Sequence, residues 1–139
     1  MAYLLDTNVV SELRKTAPNA QVLAWHQRHR QAEAYISALV VGEIRQGIER
    51  VRPRDPAQAD VLERWLAGLV SAYQDRILPV TVDIAEEWGR LNASPRPIPA
   101  VDGLMAATAK VHRLALVTRN VADVARTGVT VVNPFDTSG

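Results

Sequence analysis

The chain has 139 residues, of which 47% are hydrophobic and 22% charged, so it has the size and composition of one soluble folded domain. It contains no cysteine, which excludes disulfides, thiolate metal sites and cysteine nucleophiles and is compatible with a reducing cytoplasm. The net charge is +1, so no overall basic surplus indicates nucleic acid, and no apolar stretch is long enough to predict a membrane span or a signal-peptide core.

Strands and helices are predicted to alternate along the chain, from short apolar runs, cap residues and apolar positions at helical spacing. In chain order they are a strand at 3–5, a helix from about 7, a helix over about 19–30, a strand at 34–36, a helix over about 39–51, a helix over about 61–73, a strand at 77–80, a helix over about 84–91, a helix over about 101–112, a strand at 115–117, a short helix from about 121 and a strand at 129–132.

This alternation predicts an α/β fold with three layers, in which helices cover both faces of a mostly parallel sheet of about five strands. Pro79 cannot donate a hydrogen bond to a neighbouring strand, so the strand that contains it is placed at a sheet edge. The helix over about 101–112 is rich in alanine, which permits close packing on the sheet. In such folds, ligands bind outside the carboxyl ends of the strands.

Four acidic residues are predicted near those strand ends. Asp6 directly follows the first strand, Asp102 opens the alanine-rich helix, and Asp123 lies just beyond the fourth strand. Glu43 shares the apolar stripe of its helix, where a carboxylate is unusual unless it is paired or binds a metal. Each acid alone could be a helix cap, a partner of the helix dipole or half of an ion pair. In a doubly wound sheet, however, the three aspartates reach one edge and Glu43 lies one turn away.

Carboxylates gathered in this way repel one another, by about 4 kcal/mol for two charges about 4 Å apart at an effective dielectric of about 20. Either one of them takes a proton or a cation settles between them. Oxygen ligands without cysteine favour Mg²⁺ or Mn²⁺ over Zn²⁺, and the matching chemistry is phosphodiester hydrolysis by metal-activated water. A metal-dependent phosphatase acting on a small substrate is an alternative. The sequence contains neither a glycine-rich phosphate loop nor a GxSxG nucleophile motif, so it does not indicate the enzyme classes that use them.

Four stretches around these acids resemble motifs of the PIN-domain family, in particular of VapC-type toxins of type II toxin–antitoxin pairs. The opening Leu4–Leu13 resembles the family's first motif, and Val41–Ile48 is similar to its glutamate-bearing helix. Asp102–Ala109 and Thr118–Asp123 resemble the third and fourth acidic motifs, and Asn133-Pro134 resembles the usual ending. One departure is Val124, where the family often has an aromatic residue.

The resemblance implies a single PIN domain over residues 1–139 and a metal-dependent endoribonuclease with Mg²⁺ or Mn²⁺ at the four acids. By motif, Asp6 and Asp102 are the expected direct metal ligands, and Glu43 and Asp123 complete the catalytic site. Hydrogen-bonding residues around these ligands are expected at Thr7, Asn8, Thr118 and Asn120.

The resemblance also implies partners. It predicts the toxic component of a cytoplasmic VapBC-type pair, neutralised by a cognate VapB-like antitoxin and without membrane contact. It further predicts a homodimer, with the helices around residues 39–75 contributing to dimer or antitoxin contacts. The competing hypothesis is a non-catalytic PIN-fold module for RNA or protein interaction. The RNA that is cut stays open, because loop shape and phosphate-positioning arginines would set specificity.

Overall fold

The computed structural model describes residues 1–136, and it confirms the predicted alternation of strands and helices. The elements are β1 Ala2–Leu5, α1 Thr7–Arg14, α2 Ala20–Arg28, β2 Glu33–Ser37, α3 Ala38–Val51, α4 Pro56–Ala72, β3 Ile77–Leu78, α5 Val82–Leu91, α6 Ala100–His112, β4 Ala115–Val117, α7 Val121–Val124 and β5 Val131–Val132. Short 3-10 turns at Gln74–Arg76 and Ala125–Thr127 precede β3 and follow α7. Within the described residues, no helix has both the length and the apolar character to cross a membrane.

The five strands form one parallel sheet in the order β3-β2-β1-β4-β5. The chain builds the sheet outward from β1 to β3 and then returns to place β4 on the other side of β1. Leu5 at the end of β1 is paired in register with Val117 at the end of β4. The strand order therefore reverses between β1 and β4, and such a point leaves a crevice beyond the carboxyl ends of the two strands.

Helices cover both faces of this sheet. On one face α1 contacts α2 and α3, and α3 packs along α4; on the other face α5 packs along α6, and α6 contacts α7. Right-handed crossovers explain the division, because the chain travels along the sheet in one direction from β1 to β3 and in the opposite direction afterwards. The three-layer α/β/α arrangement predicted from the sequence is confirmed.

The alanine-rich helix α6 packs as its composition predicts. Ala106, Ala107 and Ala109 are fully buried, and Met105 is 1% exposed. On the sheet, Leu4 of β1 is also fully buried. Small side chains let α6 approach the sheet closely, and this packing fixes the first turn of α6, which carries Asp102, beside the ends of β1 and β4.

The structure differs from the sequence prediction at several element ends. The strand β3 stops at Leu78, so Pro79 lies just beyond an edge strand rather than inside it. Helix α4 begins at Pro56, about five residues earlier than the apolar pattern indicates, because the Asp55 carboxylate accepts a hydrogen bond from the Gln58 amide at 3.1 Å and caps it. Residues 137–139 lie outside the described range, so the single domain over 1–139 stays a prediction.

Candidate active site

Asp6 occupies the point where β1 ends and α1 begins, and it is only 7% exposed. Its Oδ1 accepts a hydrogen bond from the Thr7 backbone N–H at 2.7 Å, and its own N–H donates to the Val117 carbonyl at 2.9 Å. Its Oδ2 accepts from the Thr118 hydroxyl at 2.7 Å. Asp6 therefore caps a helix, as an ordinary aspartate would, and is also held in the crevice between β1 and β4.

A network of polar side chains surrounds Asp6. The Asn8 amide nitrogen lies 3.4 Å from Asp6 Oδ2 and 3.4 Å from the Thr118 hydroxyl, and the Asn8 oxygen accepts from the Arg119 backbone N–H at 3.2 Å. The Asn120 backbone N–H donates to the Thr118 hydroxyl at 3.0 Å. The predicted hydrogen-bonding residues thus tie the loop after β4 to the loop after β1, and they fix the orientation of the Asp6 carboxylate.

Glu43 reaches the same site from α3. The Thr7 hydroxyl donates to Glu43 Oε1 at 2.5 Å, and the backbone N–H of the same threonine donates to Asp6. Glu43 is half-buried, in keeping with its place beside the apolar stripe. Thr7 therefore bridges the two carboxylates, which are 37 residues apart in the chain.

Asp102 lies in the first turn of α6, within the electrostatic field of the other three acids. Partial burial raises the pKa of the Asp102 carboxyl above its ordinary value, and the charges of Asp6, Asp123 and Glu43 raise it further, in that order. A hydrogen bond with the Asn120 side chain acts in the opposite direction. The structure therefore brings the four predicted acids to one edge of the sheet.

The four acids do not form a closed cage. Asp123, in the first turn of α7, is exposed. Among residues 1–136, no three acidic or histidine side chains converge closely enough to be a ready-made metal site. The donor set is an open one made of hard oxygen atoms and repelling charges. Such a set fits a small divalent cation that keeps several of its own water ligands, as Mg²⁺ does.

A tight contact that the sequence did not reveal fixes the first turn of α6. A Cβ atom at Gly103 would lie 2.9 Å from Trp88 Cδ1 and 3.3 Å from the Ile98 side chain, so the indole occupies the space of a side chain at this position. Trp88 belongs to α5, which packs along α6. The glycine next to Asp102 lets the two helices approach, and Trp88 thereby sets the position of that carboxylate.

Comparisons with known proteins agree with this geometry. A family model described as the PIN domain matches residues 3–128, a range that includes all four acids. The chain is similar to VapC ribonuclease Y4jK of Sinorhizobium fredii, with 32% identity over 96% of this chain and 97% of that protein. It is also similar to Toxin FitB of Neisseria gonorrhoeae, with 34% identity over 95% of this chain and 97% of that protein.

Solved structures show the same fold. The crystal structure of FitAcB from Neisseria gonorrhoeae contains a chain with 33% identity and a TM-score of 0.87, covering 96% of this chain and 98% of that one. A chain in a toxin–antitoxin complex from Klebsiella pneumoniae has 25% identity and a TM-score of 0.65, over 96% and 98% of the two chains. The chain therefore belongs to the PIN-domain family. Its relatives within that family are of the VapC toxin type, which confirms the resemblance found in the four motifs.

Proposed function

We propose that this chain is a metal-dependent endoribonuclease and the toxic component of a VapBC-type toxin–antitoxin pair. The observation behind the proposal is the geometry at the point where the strand order reverses: the Asp6 carboxylate is held by Thr7 and Thr118, and Thr7 joins it to Glu43. A relative named VapC ribonuclease that is alike over nearly its full length supports RNA as the substrate.

Asp6 and Asp102 are the proposed ligands of Mg²⁺ or Mn²⁺, and Glu43 and Asp123 complete the set. Such an ion, when bound, supplies Lewis acidity toward a phosphate oxygen and lowers the pKa of a coordinated water. Asp6 Oδ1 accepts one hydrogen bond, from the Thr7 N–H, and keeps a further lone pair, whereas Oδ2 accepts from the Thr118 hydroxyl and, at 3.4 Å, from the Asn8 amide. These bonds hold the carboxylate in one orientation before any ligand arrives.

Glu43 is suited to take a proton from the attacking water. Its Oε1 is occupied by the Thr7 hydroxyl, and no hydrogen bond from residues 1–136 engages its Oε2. A carboxylate fixed through one oxygen and free at the other can accept a proton in a defined direction. Glu43 as a whole is half-buried, so its carboxylate is partly shielded from bulk solvent.

The partners follow from the proposed role. A relative found in a toxin–antitoxin complex supports a VapB-like antitoxin as the protein partner of this chain. We place the pair in the cytoplasm, where its RNA substrate lies and where a chain without cysteine loses nothing to reducing conditions. We further propose a homodimer, with helices α3 and α4 contributing to dimer or antitoxin contacts.

The proposal is tested by incubating the purified chain with RNA in Mg²⁺ or Mn²⁺ and again in excess chelator. We expect endonucleolytic cleavage with the ion and a rate at least about a hundredfold lower in chelator, since the acids alone leave the developing charge uncompensated. Undiminished cleavage in chelator would contradict the proposal. Hydrolysis of a generic phosphomonoester without any cleavage of RNA would instead select the phosphatase.

A further inference from the structure

Arg119 and Phe135 form a cation–π pair beside the four acids. The Arg119 backbone N–H is held by the Asn8 side chain, which itself contacts Asp6. Its exposed guanidinium lies 4.3 Å from the centre of the Phe135 ring. Phe135 is half-buried against the core, and its N–H donates to the Asn133 side chain at 3.0 Å. The pair is therefore built on two fixed loops at the carboxyl edge of the sheet.

The hydrogen-bonding groups of Arg119 distinguish it from a structural arginine. Arg76 also lies over a ring, 4.5 Å from the centre of Tyr73, but its guanidinium donates to the carbonyls of Ala34 at 2.7 Å and Ala72 at 3.0 Å. The guanidinium of Arg119 has no hydrogen-bond acceptor and no carboxylate within 4 Å among residues 1–136. Within that part of the chain nothing engages the planar guanidinium edge, so its five N–H donors can face a ligand.

Outside the four acids, Glu12 is a negative charge that feels Arg119, and its carboxylate is already engaged. The pKa of Glu12 is lowered first by its hydrogen bond with Lys15, then by the Asn19 backbone N–H, and last by the charge of Arg119. The contacts at 3.0 Å and 2.8 Å with Lys15 and Asn19 direct the Glu12 carboxylate toward those groups. Glu12 therefore balances the charge of Arg119 without occupying its donors.

We propose that Arg119 and Phe135 form a nucleotide-binding platform for the RNA strand next to the scissile phosphate. The assignment rests on the proposed ribonuclease function and extends it to substrate binding. A base stacks on the exposed face of the guanidinium, which lies over the Phe135 ring, and the guanidinium N–H groups donate to a backbone phosphate. Single-stranded RNA is bound through this combination of stacking and charge. Beside four carboxylates, an arginine also offsets the repulsion that an approaching phosphate meets.

The test compares steady-state RNA cleavage by the wild type and three platform variants, Arg119→Ala, Arg119→Lys and Phe135→Leu. The matched control is Arg30→Ala, an exposed arginine just before β2 at the opposite, amino edge of the sheet. We expect Arg119→Ala to raise KM about tenfold with kcat within about twofold, because one stacked base and one phosphate contact are lost. The salt dependence of log KM should weaken by about 0.7, the value for one phosphate on a single strand.

The other variants separate charge from shape. Arg119→Lys should raise KM by about threefold, since the charge stays and the planar fork is lost. Phe135→Leu should also raise KM by about threefold, because an apolar contact remains and the aromatic face under the guanidinium is lost. Arg30→Ala should leave KM within about twofold, since a distant exposed arginine adds little. Arg119→Ala keeps the backbone N–H that donates to the Asn8 side chain, so Mn²⁺ affinity measured by calorimetry should not fall.

Three results would overturn the platform. The first is an unchanged KM for Arg119→Ala when the wild type cleaves RNA. If that variant also binds a protein partner more weakly, Arg119 and Phe135 contact the protein partner and not RNA. The second is a fall in kcat at constant KM in Arg119→Ala, and the third is a loss of Mn²⁺ affinity in the same variant. Either result would mean that the substitution disturbs the four acids rather than the binding of RNA. A wild type that cleaves no RNA would instead contradict the proposed function, on which the platform rests.

Discussion

Replacing Asp6 by asparagine is expected to lower the rate of RNA cleavage by about a thousandfold or more, because the variant loses a negative charge of the proposed metal site. The fold should remain. Asparagine keeps one oxygen for the Thr7 N–H, and its amide can donate to the Thr118 hydroxyl, which can rotate to accept. The cleavage rate under single-turnover conditions and the melting temperature measure the two effects separately.

A matched control for this variant is Asp55→Asn. Asp55 also caps a helix through its side chain, but it stands before α4 and contacts none of the four acids in the described structure. The Asp55→Asn variant should retain full activity, because it loses the same charge and changes the same kind of helix cap at a place away from the site. Retention of activity by Asp6→Asn, or an equal loss in Asp55→Asn, would contradict the assignment of Asp6.

Replacing Asp102 by asparagine should produce opposite changes in activity and stability. Cleavage should fall about a hundredfold or more, because the variant loses a proposed metal ligand. In chelator at pH 7, however, the melting temperature of Asp102→Asn should exceed that of the wild type by a few degrees. A shift of about this size is expected when one unfavourable interaction is removed from a domain of this length. The reason is that burial and three like charges disfavour the ionised Asp102 in the folded chain.

The direction of this effect with pH follows from the raised pKa of Asp102. The folded state holds the Asp102 proton more tightly than the unfolded chain does. Its contribution to stability is therefore fully present below the ordinary carboxyl pKa and is lost as pH rises through the raised value. The stability gain of Asp102→Asn in chelator should then be larger at pH 7 than at pH 3.5. A variant less stable than the wild type in chelator at pH 7 would show that Asp102 has a structural partner instead.

The sequence predicts the sheet and its helices well where pattern and chemistry agree. Helix α6 carries a long apolar and alanine-rich run, and it appears in the structure with nearly the predicted ends. The ends of short elements are set by neighbours instead. Within the described residues, strand β5 pairs only with β4, and it spans Val131–Val132, which lie opposite Leu116 and Val117 at the end of that strand. The Thr130 carbonyl also accepts from the Leu116 N–H at 2.8 Å. No local pattern in the sequence states the length of a partner strand.

For the candidate site, too, the sequence predicts some features and leaves others undetermined. Asp6, Asp102 and Asp123 could be placed at one edge from the sequence, because parallel strands bring their carboxyl ends together. The contacts that orient them could not. The hydrogen bond from Thr118 to Asp6 joins residues 112 positions apart, and the space at Gly103 is defined by Trp88 of another helix. Such contacts depend on how helices and loops pack in three dimensions, which spacing along the chain does not determine.

Calorimetric titration of the purified chain with Mn²⁺ tests most directly whether the four acids form one metal site. We expect saturable binding of one or two ions per chain, absent in Asp6→Asn, strongly weakened in Asp102→Asn and unchanged in the Asp55→Asn control. Because the acids repel one another without an ion, binding should also raise the melting temperature of the wild type. No saturable binding to the wild type, or equal binding to Asp6→Asn, would contradict this expectation.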